Sequence, residues 1–257
     1  MQKKNSPCRT ALITGAAQRI GKVIAQMFGN NGWAVAIHYN TSAESAKILV
    51  EEIQSIGGQA AMFQADLAIE SNILKLVDSV NKSFGPITCL VNNASIFEYD
   101  NIKTSTQLLW DVHMTVNLRA PFLLTQRMAR QLPRNAKGNV INIIDQRVWN
   151  PTPDFISYTL SKMSLWNLTQ TLAMALAPSI RVNAIGPGPV YPSKRQTNTD
   201  FKNQWAQLPL SRRITPEEIA AGIRYILDAK AMTGQMIALD SGEHLGWFPS
   251  SNRKVIE

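Results

Sequence analysis

Seven short apolar runs recur along the chain, and most are followed by a longer stretch of helical periodicity; this alternation limits the available folds more than any other feature. Repeated strand-helix-strand units close into a parallel sheet covered on both faces, because a parallel neighbour is reached only by a crossover that packs back over the sheet. The predicted strands are Thr10–Ile13, Ala34–His38, Ala60–Gln64, Thr88–Val91, Asn139–Ile144, Arg181–Ile185 and Met236–Leu239. They are mostly apolar, as strands buried on both faces must be. Helices are expected over Ile20–Gly29, Ala43–Ile56, Ser71–Phe84, Thr106–Gln131, Ser157–Leu176 and Pro216–Leu227, with Ser42 and Thr215 as N-caps. The expected architecture is α/β: a Rossmann-type, doubly wound, seven-stranded parallel sheet in a single domain over residues 1–257. A chain of 257 residues with 45% hydrophobic content can bury one such core. Pro187 to Arg213 breaks the pattern: it is rich in Pro, Ser, Thr, Lys and Arg and too long for a plain connector, so a substrate lid is expected there.

The net charge of +8 raises the question of nucleic acid, but the charges are scattered. Pairs such as Lys194-Arg195 and Arg212-Arg213 read as solvated surface, and no helix-turn-helix or aromatic-interleaved basic stripe occurs. No apolar stretch suits a signal peptide or a membrane span, so a cytoplasmic protein without membrane contact is expected. Cys8 and Cys89 are expected to be free thiols. His38, His113 and His244 lack metal-ligand spacing; each is expected to be structural or at the surface, and no metal is predicted.

The first strand runs into Thr14-Gly15-Ala16-Ala17-Gln18-Arg19-Ile20-Gly21 and then a helix. In that context small residues let backbone N–H groups approach a pyrophosphate at a helix N-terminus, although a plain strand-to-helix turn needs no more than these residues either. A site for NAD usually ends its second strand with an acid for the ribose 2′-hydroxyl. Here the strand ends His38-Tyr39-Asn40-Thr41-Ser42, with no acid before Glu44, which favours NADP(H). The Arg19 guanidinium can pair with a phosphate, and Asn40 and Ser42 can donate to a 2′-phosphate. Asp66-Leu67, after the third strand, offers an acceptor for an adenine amino group or simply a helix cap.

Tyr158 and Lys162 lie four positions apart and share one helix face. A neighbouring cation stabilises a phenolate and pulls its pKa down, and Lys162 and an oxidised nicotinamide could both supply that cation to Tyr158. Asp145 ends the fifth apolar run, where open α/β sheets bind ligands. An ionised carboxylate there opposes the oxyanion of ketone reduction and suits a C=N bond gaining a proton; if it is protonated instead, apolar burial must hold it so.

Thr14-Gly15…Gly21, Asn92-Asn93-Ala94, Asn117, Tyr158-x-x-x-Lys162 and Pro187-Gly188 together resemble the short-chain dehydrogenase/reductase family over almost the whole chain. That family usually has a serine thirteen positions before the tyrosine, a glycine after Asn-Asn-Ala and a middle glycine in the turn; this sequence has Asp145, Ser95 and Arg19 there. These departures resemble the pteridine reductase branch, as do His38-Tyr39, Asn92-Asn93-Ala94-Ser95-x-Phe97 and the closing Leu239-Asp240-x-Gly242.

The resemblance implies an NADPH-dependent reductase with Asn117, Asp145, Tyr158 and Lys162 as the catalytic set, Asp145 with Tyr158 delivering the proton. The cofactor would lie against Thr14, Gly15, Arg19, Ile20, Gly21, Asn40 and Ser42, then Asp66, Leu67, Asn93, Ala94 and Ser95, with Tyr158, Lys162, Pro187 and Gly188 at its nicotinamide end. Substrate would meet Arg19, Ser95, Phe97, Asp145 and Tyr158, with Phe97 stacking on a pterin ring. Asn117 would kink its helix and hold a water linked to Lys162. Trp149, Tyr191 and Trp205 are further candidates for the pocket wall. The family also implies a homotetramer, to which the tail Ser250–Glu257 could contribute. The leading expectation is reduction of a dihydropterin-like C=N heterocycle; the alternatives are a 3-oxoacyl or small-ketone reductase and a non-catalytic NADP(H)-binding regulator.

Overall fold

A computed structural model describes residues 9–246; Cys8 and the tail 250–257 lie outside the described residues. The strands are β1 (Thr10–Ile13), β2 (Ala34–Tyr39), β3 (Gln59–Gln64), β4 (Ile87–Asn92), β5 (Gly138–Ile143), β6 (Ile180–Pro187) and β7 (Met236–Leu239). They form one parallel sheet in the order β3-β2-β1-β4-β5-β6-β7. The chain reverses its direction of travel between β3 and β4, so β1 and β4 part at a topological switch point, where open sheets take ligands.

Alternation along each strand divides the core into two layers. Ala11 and Ile13 of β1 face α1 (Arg19–Asn30), α2 (Ala43–Ser55) and α8 (Pro216–Asp228) through Ile24, Phe28, Leu49, Ile53 and Ile223. Leu12 faces the opposite layer, where α3 (Glu70–Phe84) and α5 (Ala120–Gln131) pack through Ile73, Val77, Leu124 and Met128. These side chains are almost completely removed from water, each worth about 1.5–3 kcal/mol against exposure.

Three local expectations need correction. Ser42 stands at the N-cap of α2 but makes no side-chain cap bond, whereas Thr215 forms a complete capping box with Glu218 at α8. The helix expected over Thr106–Gln131 is not one α-helix: α4 (Gln107–Met114) passes through a π-helical turn, Thr115–Arg119, before α5 begins. The widened turn frees backbone from the regular ladder and carries Asn117. The segment 187–213 holds a helix, α7 (Asn198–Ala206), started by a capping box between Thr197 and Asp200 that the Pro- and Ser-rich composition hid.

Among the described residues, no helix is long and apolar enough to cross a membrane, and no group of three or more His, Cys, Asp or Glu is placed to hold a metal. Cys89 is a buried free thiol whose pKa burial pushes up to about 12, so it is inert at neutral pH.

Candidate active site

The switch point opens into a cavity of about 600 Å³, within the usual range for small-molecule sites. Gly15, Arg19, Ile20, Gly21, Asn40, Ser42, Asp66, Leu67, Asn93, Ala94 and Ser95 all line it. Its floor is the turn after β1. Gly15 has φ +60, and a Cβ on Gly21 would stand 2.3 Å from the Gly15 carbonyl and 2.7 Å from Asn93 Nδ2, so only glycine fits there. Arg19 takes a left-handed φ of +53, so the turn keeps a glycine-like backbone and carries a cationic side chain in its place. Helix α1 starts with no side-chain cap and no acid in its first turn, leaving its N–H groups and positive dipole end directed at the cavity.

Thr14 lies behind the turn as a junction: its hydroxyl accepts the N–H groups of Asn93 and Ala94, both at 2.9 Å, while Asn93 Nδ2 donates to the Thr14 carbonyl at 2.8 Å. His38, expected to be structural, clamps the same turn. Its Nδ1 accepts the Gly15 N–H at 3.0 Å and its Nε2 donates to the Ala65 carbonyl at 3.0 Å. Burial lowers its pKa to about 4, so it stays neutral and keeps both bonds. Val112 and Val116, four apart on the helical segment, line the cavity unannounced, because an apolar pair at that spacing reads as core.

Beyond the cavity stand the candidate reacting groups, on α6 (Ile156–Leu176) and at the end of β5. The Tyr158 hydroxyl donates to Asp145 Oδ2 at 2.9 Å, and Asp145 Oδ1 accepts the Arg147 N–H at 2.8 Å, capping the 3-10 turn Gln146–Val148. Lys162 Nζ donates to the Ile143 carbonyl at 2.9 Å and lies 5.8 Å from the centre of the Tyr158 ring. In the protein alone, burial, then the Asp145 charge and its hydrogen bond, raise the Tyr158 pKa well above 10, with Arg147 opposing. The phenol is therefore neutral and holds a proton to give. Burial lowers the Lys162 pKa to about 8, against an opposing pull from Asp145.

Asn117 is fully buried and its side chain is completely used. Its Nδ2 donates to the Ile96 carbonyl and Ser161 Oγ, and its Oδ1 accepts from the Ile96 N–H and Ser95 Oγ. The amide is thus a strut that holds the segment after β4, and any link to Lys162 falls to its backbone. Phe97 stacks on Phe155 at 4.5 Å and meets Tyr158 edge-on at 4.6 Å. Asp66 Oδ1 accepts the Ala68 N–H at 2.9 Å, which turns the chain toward α3. Pro187 and Gly188 close β6, and a Cβ on Gly188 would meet Asp240 Cα at 2.8 Å.

The segment 187–213 makes two arginine contacts with this region. Arg19 stacks over Tyr191 at 5.0 Å, and Arg195 bonds Glu98 at 3.0 Å and the Phe97 carbonyl at 3.2 Å. Trp149 packs on Trp166 and His244.

Sequence reasoning missed Glu243. Burial first, then the nearby charge of Asp145, raises its pKa to about 7; Asp240 adds to this, while Gln204 and Arg147 oppose it. A carboxyl with a raised folded-state pKa contributes stability below its ordinary value near 4.5 and loses it as pH rises through about 7. Glu243→Gln is therefore expected to stabilise the protein by about 2 kcal/mol at pH 8, allowing for partial exposure, and by almost nothing near pH 4.5. Urea melts at the two pH values check this; equal changes at both rule it out.

A family model described as short chain dehydrogenase matches residues 9–203. Among solved structures, FolM alternative dihydrofolate reductase 1 from Brucella suis, in complex with NADP, superposes with a TM-score of 0.90 at 48% identity, covering 93% of this chain and 96% of that one. Among curated relatives, an uncharacterized oxidoreductase of Thermotoga maritima is 34% identical over 91% of this chain and 96% of its own length. The 3-oxoacyl-(acyl-carrier-protein) reductase FabG of Staphylococcus epidermidis is 31% identical over 92% of this chain and 99% of its own.

Proposed function

Because this chain belongs to the short-chain dehydrogenase family, we propose that it is an oxidoreductase using NADP(H), and that its substrate is a dihydropterin-like heterocycle whose C=N bond is reduced. The observation that carries the substrate class is the Tyr158 hydroxyl resting on the Asp145 carboxylate at 2.9 Å, at a position where the family usually has serine. The FolM proteins, alternative dihydrofolate reductases crystallised with NADP, support it as relatives of the same fold.

The cavity suits the cofactor. Gly15 and Gly21 admit a close-lying pyrophosphate, the uncapped α1 N-terminus favours its charge, and the end of β2 presents Asn40 and Ser42 without an acid. Arg19 and Ser42 would meet the 2′-phosphate, Asp66 and Leu67 the adenine, and Asn93, Ala94, Ser95, Ile20, Pro187 and Gly188 the remainder. Bound NADPH supplies the hydride. Tyr158, neutral because of burial and Asp145, gives up the proton that the substrate nitrogen requires. Asp145 orients that hydroxyl and favours a protonated nitrogen over a developing oxyanion. Lys162 is anchored on Ile143, Asn117 holds Ser95 and Ile96 in place, and Phe97 offers an aromatic edge to a flat ring.

A panel of dihydropterins and ketones, followed through NADPH absorbance, tests the reading: dihydropterins should accelerate oxidation. The similarity to FabG favours a second reading, a carbonyl reductase, and turnover of ketones alone would establish it. Removing the guanidinium in Arg19→Ala should weaken NADPH binding roughly tenfold or more, with NADH binding far less affected, because a charge-assisted contact contributes about 1.5–3 kcal/mol. Fluorescence titration with both cofactors checks this, and equal losses would remove Arg19 from the 2′-phosphate. A cytoplasmic homotetramer is the proposed form. Exposed Leu108 and Trp110 on α4 and Phe122 on α5 support such an assembly.

A further inference from the structure

Behind the reacting groups runs a buried polar chain that the proton transfer does not use. His113 of α4, Ser157 of α6 and Asp100 of the segment after β4 are each fully buried. The Glu98 N–H donates to His113 Nε2 at 3.2 Å, so the ring proton sits on Nδ1 and is donated to Ser157 Oγ at 2.7 Å. Ser157 Oγ donates in turn to Asp100 Oδ2 at 2.6 Å. Asp100 also accepts the Ser157 N–H at 3.2 Å and the Ser105 hydroxyl at 3.0 Å, and its backbone carbonyl takes the Phe155 N–H at 2.7 Å.

This arrangement solves a local problem of α6. Its N-cap residue, Phe155, has a left-handed φ of +59 and no oxygen to offer the first turn. Asp100 supplies the cap from elsewhere in the chain, with a negative charge at the positive end of the helix that carries Tyr158. The chain thus ties together three pieces: α4, the start of α6, and the segment bearing Phe97. The rings that follow are in mutual contact, with His113 6.0 Å from Tyr158 and Phe97 4.6 Å from Tyr158.

We infer that His113 is a positioning residue which, through Ser157 and Asp100, fixes how Phe97 lies against Tyr158 and hence the aromatic wall that a flat heterocycle meets. The inference rests on the dihydropterin reading for its substrate, though not for its geometry. Only a neutral imidazole can accept the Glu98 N–H, and a protonated one would turn N–H against N–H. Burial lowers the His113 pKa, Asp100 and Glu98 oppose this, and Lys162 adds to it. As pH falls the ring is eventually protonated and the Glu98 bond is lost.

His113→Leu is expected to raise the KM for a dihydropterin about tenfold at pH 7.5, the cost of an unpaired buried donor. Its kcat should stay within about threefold of the parent and its NADPH affinity should not change. His113→Gln keeps an acceptor for Glu98 that does not titrate. It should restore the parental KM and abolish the rise in KM expected of the parent once acid protonates the ring. A parental KM in His113→Leu, or an acid rise retained in His113→Gln, overturns the inference; so does loss of NADPH binding together with KM, which would mark a general structural role. If His113→Leu does not fold, the pH profile of His113→Gln decides. If the parent reduces no dihydropterin, the functional reading fails separately. Amide exchange over residues 96–100, followed from neutral into acid pH, should then lose protection in the parent and not in His113→Gln; the same pH dependence in both overturns the positioning role.

Discussion

Replacing Tyr158 by phenylalanine is expected to lower turnover by a factor of about 10²–10⁴ and to leave NADPH affinity within about twofold, because the change removes a proton donor and no phosphate contact. The hydroxyl makes one bond, to Asp145 Oδ2 at 2.9 Å, and the ring is held by Phe97 and His113, so the phenylalanine ring fits the same space. The size of the effect follows from the state of the phenol. Burial and the Asp145 carboxylate keep it protonated throughout the neutral range, so without the hydroxyl the proton must come from a less directly placed group. Steady-state kinetics with a fluorescence titration of NADPH provide the check. Turnover close to the parental value would mean that the proton comes from another group.

Asp145→Ser, which installs the residue the family usually carries, should exchange one substrate class for the other. The kcat/KM for a dihydropterin is expected to fall about a hundredfold, while that for a 3-oxoacyl or simple keto substrate rises at least about tenfold. Two effects act together. The carboxylate no longer opposes an oxyanion, and the charge that helps raise the Tyr158 pKa is gone, which makes the phenol a stronger acid. Serine is itself a good N-cap, so the bond to the Arg147 N–H that starts the 3-10 turn can be replaced and folding need not suffer. Measuring both substrate classes on parent and variant is decisive: parallel losses for both would show that Asp145 supports the site without selecting the substrate.

The two expectations about Asp145 and Tyr158 differed in how far sequence could carry them. The thirteen-residue spacing and the strand-end position placed the carboxylate correctly beside the hydroxyl, because both are set by a strand end and a helix start. The direction of the Tyr158 pKa in the protein alone could not be read the same way, because it depends on which charge lies nearer and how much water is excluded. Lys162 shares the helix face and donates one of its three N–H groups to the Ile143 carbonyl. For Asn117 the resemblance implied a kinked helix and a water linked to Lys162, and only the fold shows the backbone of Ile96 and the side chains of Ser95 and Ser161 that use its amide.

By itself, the sequence determined the seven strands, the layers they separate and the glycine turn after β1. Hydrophobic period and small residues are local signals, and a parallel sheet leaves few ways to connect them. Tertiary structure alone decided the π-helical turn, the helix within the 187–213 segment, the near-neutral carboxyl of Glu243 and the buried tie between His113, Ser157 and Asp100. Most of these depend on desolvation and on hydrogen bonds between residues tens of positions apart, and no spacing in a linear chain encodes how much water a fold will exclude.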